Sequence, residues 1–457
     1  MDSPLYVSMA ETLGRASEPI GPAHHGYPAL VALASLALPG RELPGRAVSL
    51  LAGVALIAIT FALARRMLPR WGAFTAAALV ALHPLLALYS GALMTEAPFQ
   101  AVAYAALLVL MQGWTAAAGA LLGFGYCVRP EALVIALAAL PAIATWRRRA
   151  LWLAVFSLAA LPEVALLSFE RGAITLTPKT NLIAASGAAR DDAEWRIAGA
   201  DTATAPARSP LDRARETLPA AAARYPGRLR GQLERILQAW PLPLMALSVA
   251  GALRHRGLLI APLAIVPVLP MLGVTPHLRY PQTLIPALAI YAGVGAAWLV
   301  AWSAERARPA RRAAVTLAAF ALAGGLVWCW RGPAGDSVRH FEDGPMRTLR
   351  RAGAWLAVNG RAGARVMDRK PYVPFFAGMR HVLMPDDDYD TIVEHARASG
   401  VDYLVVEEYV MWGMRRQFVP LMTDPAFRDR ERRLRMVFGG DEGPMTGIAI
   451  FEVARTR

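Results

Sequence analysis

AVSLLAGVALIAITFALARRMLPR, residues 47–70, joins an uncharged, mostly apolar run to a cluster of arginines. The apolar part, residues 47–64, approaches the length of about 20 residues that a helix needs to cross a bilayer. Arg65, Arg66 and Arg70 follow it at once. Because short loops rich in arginine stay on the cytoplasmic side of a membrane, the stretch predicts a membrane-spanning helix that ends at the cytoplasm.

The same alternation of apolar runs and arginine clusters continues as far as residue 330. Candidate spans are residues 47–64, 71–90, 97–112, 114–127, 131–145, 150–168, 241–253, 258–274, 282–302 and 312–330. The later clusters are Arg147 to Arg149, Arg254 with Arg256, and Arg306, Arg308, Arg311 and Arg312. Counting spans alternately puts every cluster on the cytoplasmic side. The pattern predicts an α-helical polytopic membrane protein with about ten transmembrane helices.

The charge balance has the same explanation. The chain has 457 residues, is 56% hydrophobic and carries a formal net charge of +14. Nearly all the excess is arginine at loop positions, where retention at the cytoplasmic face accounts for it, so we do not infer nucleic-acid binding. The two cysteines, Cys127 and Cys329, have no disulfide or metal spacing and are expected to be small buried side chains.

Two segments outside the spans are expected on the external side. Residues 1–46 form a first loop, in which residues 27–39 are too short to cross comfortably and predict a juxtamembrane helix, with a re-entrant segment as the alternative. Residues 169–240 form a long loop that ends in two helical stretches, residues 209–224 and 226–239. The second stretch is amphipathic, which is typical of a helix at a membrane surface.

Residues 331–457 have the composition of an ordinary soluble domain. Predicted helices cover residues 346–358, 388–399 and 408–422, and predicted strands cover residues 364–368, 402–407, 432–438 and 447–453. Strands that alternate with helices indicate a small α/β domain with a largely parallel sheet. It has no glycine-rich phosphate loop and no nucleophile motif.

Asp2 is the first of the ionisable residues that the span count places opposite the arginine clusters. Asp2, Tyr6 and Ala10 would share one face of a helix. An external carboxylate ahead of a membrane-resting helix could take a proton from an acceptor hydroxyl or amine. The alternative is a solvated N-terminal carboxylate.

Glu96 and Arg129 lie at two span ends on the same external side. Glu96 either lines a polar cavity, because a carboxylate facing lipid is costly, or forms a helix cap with Thr95. Pro130 and Glu131 suit the start of a helix, but Arg129 opposes the helix dipole. Arg129 is therefore a candidate for contact with an anionic ligand.

His277, Arg279 and Tyr280 form a short external turn between prolines. An arginine there departs from the positive-inside pattern, and a fixed guanidinium suits two-pronged binding of a phosphate. Snorkelling to lipid head groups is the alternative. The adjacent His24 and His25 lack metal-ligand spacing, so no metal site is assigned, although a need for a divalent metal stays open.

The order of these motifs resembles that of the GT-C membrane glycosyltransferases, above all the bacterial mannosyltransferase-like and lipid A aminoarabinose transferase-like groups. The matching pieces are Asp2 to Tyr6, His24 to Pro28, Thr95-Glu96, Gly123 to Glu131, Gly172 to Asn181, and Arg279-Tyr280 to Pro286, followed by a soluble C-terminal domain. Each piece is weak alone, but their order and their common external side cover nearly the whole chain.

The resemblance implies transfer, with inversion, of a hexose or pentose from a polyprenyl-phosphate donor to an envelope lipid, glycan or protein. Asp2 would be the catalytic base. Arg279, Arg129, Tyr280 and His277 would hold the donor phosphate, and Glu96, Tyr6, His24, His25 and Asn181 would line the site. No cofactor is assigned. The bacterial plasma membrane would hold the chain, with its C-terminal domain on the periplasmic or extracellular side.

Two other functions remain open from the sequence: a transporter or flippase, and a non-catalytic assembly protein for envelope polysaccharide. No inverted repeat is visible and no span centre is expected to carry a charge pair, which disfavours transport. The family also implies a span ahead of Asp2. We expect this first span to be missing from the sequence through a misplaced start, with a truncated protein as the alternative.

Overall fold

The computed structural model describes residues 3–13, 23–171, 174–177, 210–255, 257–271, 277–304, 308–340, 345–385, 387–440 and 447–455. Two predicted site residues, Asp2 and Asn181, lie outside these ranges. The chain divides into two compact units, one of residues 1–183 with 218–338 and the other of residues 184–217 with 339–457.

The first unit is helical. Its helices are α1 Ser3–Thr12, α2 Gly26–Ser35, α3 Leu43–Ala64, α4 Arg70–Leu82, α5 Pro84–Gly91, α6 Glu96–Met111, α7 Thr115–Val128, α8 Glu131–Ala139, α9 Trp146–Arg171, α10 Pro210–Ala239, α11 Leu242–Arg254, α12 Ile265–Met271, α13 Ile285–Ala304, α14 Arg308–Arg331 and α15 Pro333–Arg339. Short 3₁₀ segments occupy Leu140–Ala142, Leu258–Ala264 and Pro281–Leu284. Helix α2 confirms the helical prediction for residues 27–35 but ends before residues 36–39, while α10 is one helix where the sequence predicted two.

Within the described ranges, 4 helices are long and apolar enough to cross a membrane, and 2 bent helix pairs raise that number to 6 if each is one span. The 4 are Leu43–Ala64, Trp146–Phe169, Pro281–Ser303 and Pro309–Arg331. Shorter apolar helices cover the other predicted spans, for example Glu96–Met111 and Thr115–Val128. The polytopic helical fold is therefore present, and the exact number of ten spans stays a prediction.

Close contact between backbones holds the helices of this unit together. A Cβ atom added to Gly251 on α11 would lie 2.0 Å from the Tyr291 carbonyl oxygen on α13, and one on Gly295 would lie 2.1 Å from that of Leu247. Only glycine allows two helices to approach so closely. In a membrane, where lipid is as apolar as leucine, such small residues let van der Waals contact replace the hydrophobic effect as the packing force.

Two helix breaks of this unit meet at His83. Helices α4 and α5 bend by 59° at this residue, and α10 and α11 bend by 104° at Trp240. The His83 ring stacks on Trp240 with centroids 6.0 Å apart, and its Nε2 lies 2.9 Å from the Ala239 carbonyl oxygen. This bond satisfies one of the carbonyl groups that the end of α10 leaves without an intrahelical partner.

The second unit contains a five-stranded sheet covered by helices. Its elements are α16 Pro345–Asn359, β1 Arg365–Asp368, α17 Tyr372–Ala377, β2 Arg380–Leu383, α18 Tyr389–Ala398, β3 Tyr403–Glu407, α19 Glu408–Met414, a 3₁₀ segment Arg416–Phe418, α20 Val419–Thr423, α21 Pro425–Arg430, β4 Leu434–Gly440 and β5 Ile448–Val453. Strand order is β2-β1-β3-β5-β4. Alternate residues of β3 face opposite cores: Leu404 and Val406 face α18 and α20, and Tyr403 and Val405 face α16 and α17.

The sheet is mixed, so the prediction of a largely parallel sheet was only half right. Strand β1 pairs in parallel with β2 and β3, but β5 runs antiparallel to both β3 and β4. The reason is the connection between β4 and β5, which is too short for a parallel crossover of a dozen or more residues. Strand β2 and helix α17 were missed, because both are short and neither shows a clear period in the sequence.

Two carboxyl groups meet at one edge of this sheet. Asp368 ends β1 and Glu407 ends β3, and these strands are parallel neighbours. Burial, and then the charge of Glu407, raise the pKa of Asp368 well above its usual range. Burial also raises the pKa of Glu407, against the opposing effect of Lys370 and Arg369. The pair therefore keeps a proton at pH values at which an exposed carboxyl group has lost it.

Because the folded pKa of Asp368 is raised, we expect the stability of this unit to fall as pH rises. The loss begins near the ordinary pKa of an aspartate, about 4, and ends at the raised value, with a slope of up to about 1.4 kcal/mol per pH unit for one proton. Asp368→Asn removes the titration and should flatten the dependence. Hydrogen exchange of β1 and β3 between pH 5 and 8 measures it, with the exposed Asp429→Asn as the control. An equally steep dependence in Asp368→Asn would contradict the assignment.

Candidate active site

Three breaks between helices converge on one buried ionic cluster in the first unit. The N-terminus of α6 contributes Glu96, the extended residue between α7 and α8 contributes Arg129, and the turn before the 3₁₀ segment at Pro281 contributes Arg279. Breaks between apolar helices are places where polar backbone and charged side chains can meet away from lipid.

Glu96 is the centre of the cluster. Its side chain is 1% exposed, and its Oε1 accepts from Arg129 Nη1 at 2.5 Å and from Arg279 Nε. The second carboxylate, Glu131, accepts from Arg129 Nη2 at 2.6 Å and from Arg129 Nε at 3.2 Å. Arg129 is thus held by two carboxylates, and its guanidinium carbon also lies 5.9 Å from the centroid of the Phe99 ring.

The cluster is balanced in charge, with two guanidinium groups and two carboxylates. Balance matters because an uncompensated charge in such a buried position would cost several kcal/mol, of the order of 3–5. The two arginines differ in access: the side chain of Arg279 is 21% exposed, whereas that of Arg129 is 7% exposed. Arg279 is therefore the guanidinium that a ligand can reach first.

Thr95 does not cap α6, which decides between the two readings of the Thr95–Glu96 pair. It occupies the N-cap position but makes no side-chain cap hydrogen bond. Its hydroxyl instead lies 3.4 Å from Glu96 Oε2 and 3.4 Å from Arg129 Nη1. The helix-cap interpretation is therefore not met, Thr95 belongs to the same cluster, and a polar cavity lined by Glu96 stays a prediction.

The remaining predicted site residues fall in different places. His277 Nδ1 accepts from the backbone N–H of Arg279 at 3.0 Å, so it shapes the arginine turn, and Tyr280 precedes the 3₁₀ segment. His24 and His25 contact Glu163 on α9 rather than the Glu96 cluster. Tyr6 is buried on α1, with its ring edge-on to Tyr27 at 5.2 Å.

A line of hydrogen bonds connects helix α2 to the backbone directly before the Thr95–Glu96 pair. The Tyr27 hydroxyl on α2 lies 2.9 Å from Ser49 Oγ on α3 and 2.9 Å from the Gly45 carbonyl oxygen. Ser49 in turn donates to the carbonyl oxygen of Met94 at 3.1 Å, directly before Thr95. Tyr27 and Ser49 are fully buried, so these bonds are not exchanged for water.

Two carboxylates of these networks were not assigned a role from the sequence. Glu131 was explained as a helix-start residue, and its position two residues after Arg129 gave no sign of a second function. Glu163, which lies inside the span Trp146–Phe169, was not considered. The signal was present, because an ionisable residue inside an apolar span is by default a candidate functional residue.

No group of three or more His, Cys, Asp or Glu side chains that could hold a metal ion occurs in the ranges that the structure describes. The arrangement that is present suits an anion: two adjacent guanidinium groups, one of them accessible, held in place by carboxylates. A phosphate group, with several acceptor oxygens, matches guanidinium donors in charge and geometry.

Comparison with known families gives one match. A family model described as dolichyl-phosphate-mannose-protein mannosyltransferase matches residues 27–169, a range that includes α2, Glu96 and Arg129. No curated protein matches the chain.

Solved structures match over nearly the whole chain. ArnT from Cupriavidus metallidurans, bound to undecaprenyl phosphate, is 14% identical with a TM-score of 0.57 over 99% of this chain and 93% of that one. The oligosaccharyltransferase of Archaeoglobus fulgidus, in complex with Zn and sulfate, is 13% identical with a TM-score of 0.57 over 90% and 64%. The mycobacterial arabinofuranosyltransferase AftD is 16% identical with a TM-score of 0.51 over 100% and 40%. The GT-C resemblance of the sequence is thereby confirmed at the level of fold.

Proposed function

We propose that this chain, a membrane protein with the fold of the GT-C glycosyltransferases, transfers a sugar from a polyprenyl-phosphate donor to an acceptor of the cell envelope. The observation that carries the proposal is the buried cluster of Glu96, Arg129 and Arg279, in which the guanidinium of Arg279 is held by a carboxylate and is partly exposed. One structural relative is bound to undecaprenyl phosphate, which is a donor of this class without its sugar.

Arg279 binds the donor phosphate in this account, and the more deeply buried Arg129 adds a second positive charge next to it. Fixed cations stabilise the charge that grows on a phosphate as it leaves, and they act most strongly where water is excluded. Glu96 keeps the two guanidinium groups apart from lipid and sets their direction, because both bind its Oε1. His277 and Tyr280 belong to the turn that carries Arg279, and they form the rest of the phosphate-binding site.

Asp2 is the catalytic base. The acceptor hydroxyl gives its proton to the Asp2 carboxylate while its oxygen forms a bond to the anomeric carbon of the sugar. The bond from that carbon to the phosphate oxygen breaks, and its electron pair leaves with polyprenyl phosphate. A single displacement of this kind inverts the anomeric configuration. Helix α1 begins at Ser3, next to Asp2, and its Tyr6 packs against Tyr27.

Other parts of the proposal rest on the family resemblance. Tyr6, His24, His25 and Asn181 line or support the site, the reaction takes place on the external face of the plasma membrane, and the C-terminal unit lies on that side. The donor sugar is a hexose or a pentose, and the acceptor is a lipid, glycan or protein of the envelope.

Asp2→Asn tests the catalytic assignment. We expect turnover of a polyprenyl-phosphate sugar to fall by about 100-fold or more, because general-base catalysis contributes on the order of 10²–10⁴-fold. Binding of undecaprenyl phosphate should be unchanged, since the arginines are intact. Label released from the donor and thermal shift with undecaprenyl phosphate measure the two quantities.

Glu11→Gln is the matched control for this test. Glu11 lies on the same helix, but it is exposed and forms an ion pair with Arg41 at the surface. We expect this variant to retain normal turnover. Normal turnover in Asp2→Asn would remove Asp2 from the mechanism.

A further inference from the structure

Glu163 is a carboxylate inside α9, the helix that spans Trp146–Arg171, and its side chain is 2% exposed. It faces His24 and His25, at the start of the juxtamembrane helix α2. Oε1 lies 3.2 Å from the His25 backbone nitrogen and 3.1 Å from His25 Nδ1, and Oε2 lies 3.3 Å from the same backbone nitrogen. His24 Nδ1 lies 3.2 Å from Oε1, outside hydrogen-bond geometry.

These contacts explain why a carboxylate is tolerated in an apolar helix. A buried carboxylate without partners would cost several kcal/mol, and the hydrogen bonds to His25 reduce that cost. Both histidines are themselves buried, at 4% and 5% exposure. Glu163 is thus tied to α2 and to nothing that belongs to the Glu96 cluster.

A second contact leaves α2 no room to shift. A Cβ atom on Gly26 would lie 2.6 Å from the carbonyl carbon and oxygen of Cys127 on α7, so the first turn of α2 touches the α7 backbone. Helix α7 packs against α9 with equal closeness, because a Cβ on Gly123 would lie 2.5 Å from the Phe156 carbonyl oxygen. The start of α2 is therefore clasped between α7 and α9: Gly26 contacts the α7 backbone, and Glu163 on α9 accepts hydrogen bonds from His25.

Helix α2 contacts two other segments of the proposed site. Through Tyr27 and Ser49 it reaches the Met94 carbonyl oxygen, next to Thr95 and Glu96. Through the edge-on contact of Tyr27 with Tyr6 it reaches α1, the helix that begins beside Asp2. Helix α2 thus contacts α1 and is linked to the residue that precedes the Thr95–Glu96 pair.

We propose that Glu163 is a positioning residue for sugar transfer: it clasps His24 and His25 and so holds α2 where Tyr27 can align the first loop with the Glu96 cluster. The inference rests on the proposed function for its catalytic consequence, but the clasp itself is a structural claim that is measured without activity.

The test compares Glu163→Gln and Glu163→Leu with wild type in detergent or nanodiscs. Glutamine keeps the shape and one acceptor oxygen, and leucine removes both acceptors. Hydrogen exchange of residues 3–12 and 24–35 should rise at least tenfold in Glu163→Leu and less in Glu163→Gln, with α13 unchanged. Leu158→Ala, an exposed side chain on the same helix, is the control and should change neither region.

The catalytic consequence is a split between turnover and donor binding. We expect kcat to fall about 10-fold or more in Glu163→Leu, because small misplacements of reacting groups are costly to rate. Affinity for undecaprenyl phosphate should stay within threefold of wild type, since Arg279 and Arg129 are untouched. His25→Ala combined with Glu163→Leu should lose no more than the worse single variant.

Each result decides a different claim. Unchanged exchange of α1 and α2 in Glu163→Leu overturns the clasp, whether or not the protein is a transferase. Loosened helices with unchanged kcat overturn the positioning role and leave an anchor of structure only. A wild-type protein without any transfer removes the proposed function and the catalytic consequence, while the exchange measurement still decides the clasp.

Discussion

Arg279→Gln is expected to lower kcat/KM for a polyprenyl-phosphate donor by about 100-fold or more. Removing one partner of a desolvated, hydrogen-bonded charge pair costs about 2–5 kcal/mol, and each 1.4 kcal/mol is a factor of ten. Glutamine keeps polarity and approximate length but has no positive charge for the phosphate. The kcat/KM of Arg279→Lys should lie between those of wild type and Arg279→Gln, because lysine keeps the positive charge but loses the two-pronged geometry.

The measurement is initial-rate kinetics with a labelled polyprenyl-phosphate sugar, together with the affinity for undecaprenyl phosphate. The kcat/KM and the affinity for undecaprenyl phosphate should both decrease, because Arg279 contacts the phosphate in the ground state and in the transition state. Arg254→Gln is the control: it removes an exposed arginine from one of the predicted cytoplasmic clusters. An Arg279→Gln protein that binds undecaprenyl phosphate as tightly as wild type would contradict the phosphate role.

Glu96→Gln is expected to damage stability as well as activity. The substitution leaves Arg129 with Glu131 alone and deprives Arg279 of its buried carboxylate. Breaking a buried ion pair in this way costs about 3–5 kcal/mol of the free energy of unfolding. Transfer should fall with it, because the guanidinium groups lose the oxygen that sets their direction.

Undecaprenyl phosphate should restore part of the stability that Glu96→Gln loses. Its phosphate would supply the negative charge that the glutamine lacks, so the rise in Tm on adding the lipid should exceed that of wild type. Thermal unfolding with and without the lipid measures it. Glu42→Gln, which removes a half-exposed surface pair with Arg46, should cost no more than about 1 kcal/mol and serves as control. An equal or smaller lipid effect in Glu96→Gln would contradict a shared phosphate position.

The sequence alone identified three charged residues of the candidate site. Charged groups at span ends are rare because lipid penalises them, so Glu96, Arg129 and Arg279 could be selected from position and residue type. The structure brings these three together. Arg279 could be selected because an arginine in that turn departs from the positive-inside pattern. Periodicity predicted most strands and helices of the C-terminal unit, but not α17 or β2.

Contacts between distant segments could not be obtained in this way. Glu163 and His25 are 138 residues apart, and no local pattern shows that a loop histidine will reach a helix in the middle of the chain. The bend at His83 depends in the same way on Ala239, which is 156 residues away. The antiparallel end of the sheet depended on connection length rather than on strand pattern, and that signal was available.

Transfer itself is tested most directly by reconstituting the purified chain in liposomes that carry undecaprenyl-phosphate sugars labelled in the sugar, with envelope extract outside as acceptor. The account predicts that label leaves the lipid for the acceptor, that one unlabelled undecaprenyl phosphate is released per sugar transferred, and that the anomeric configuration of the product is inverted. Label that crosses the bilayer still attached to undecaprenyl phosphate, with no covalent product, would contradict it and identify a lipid transporter.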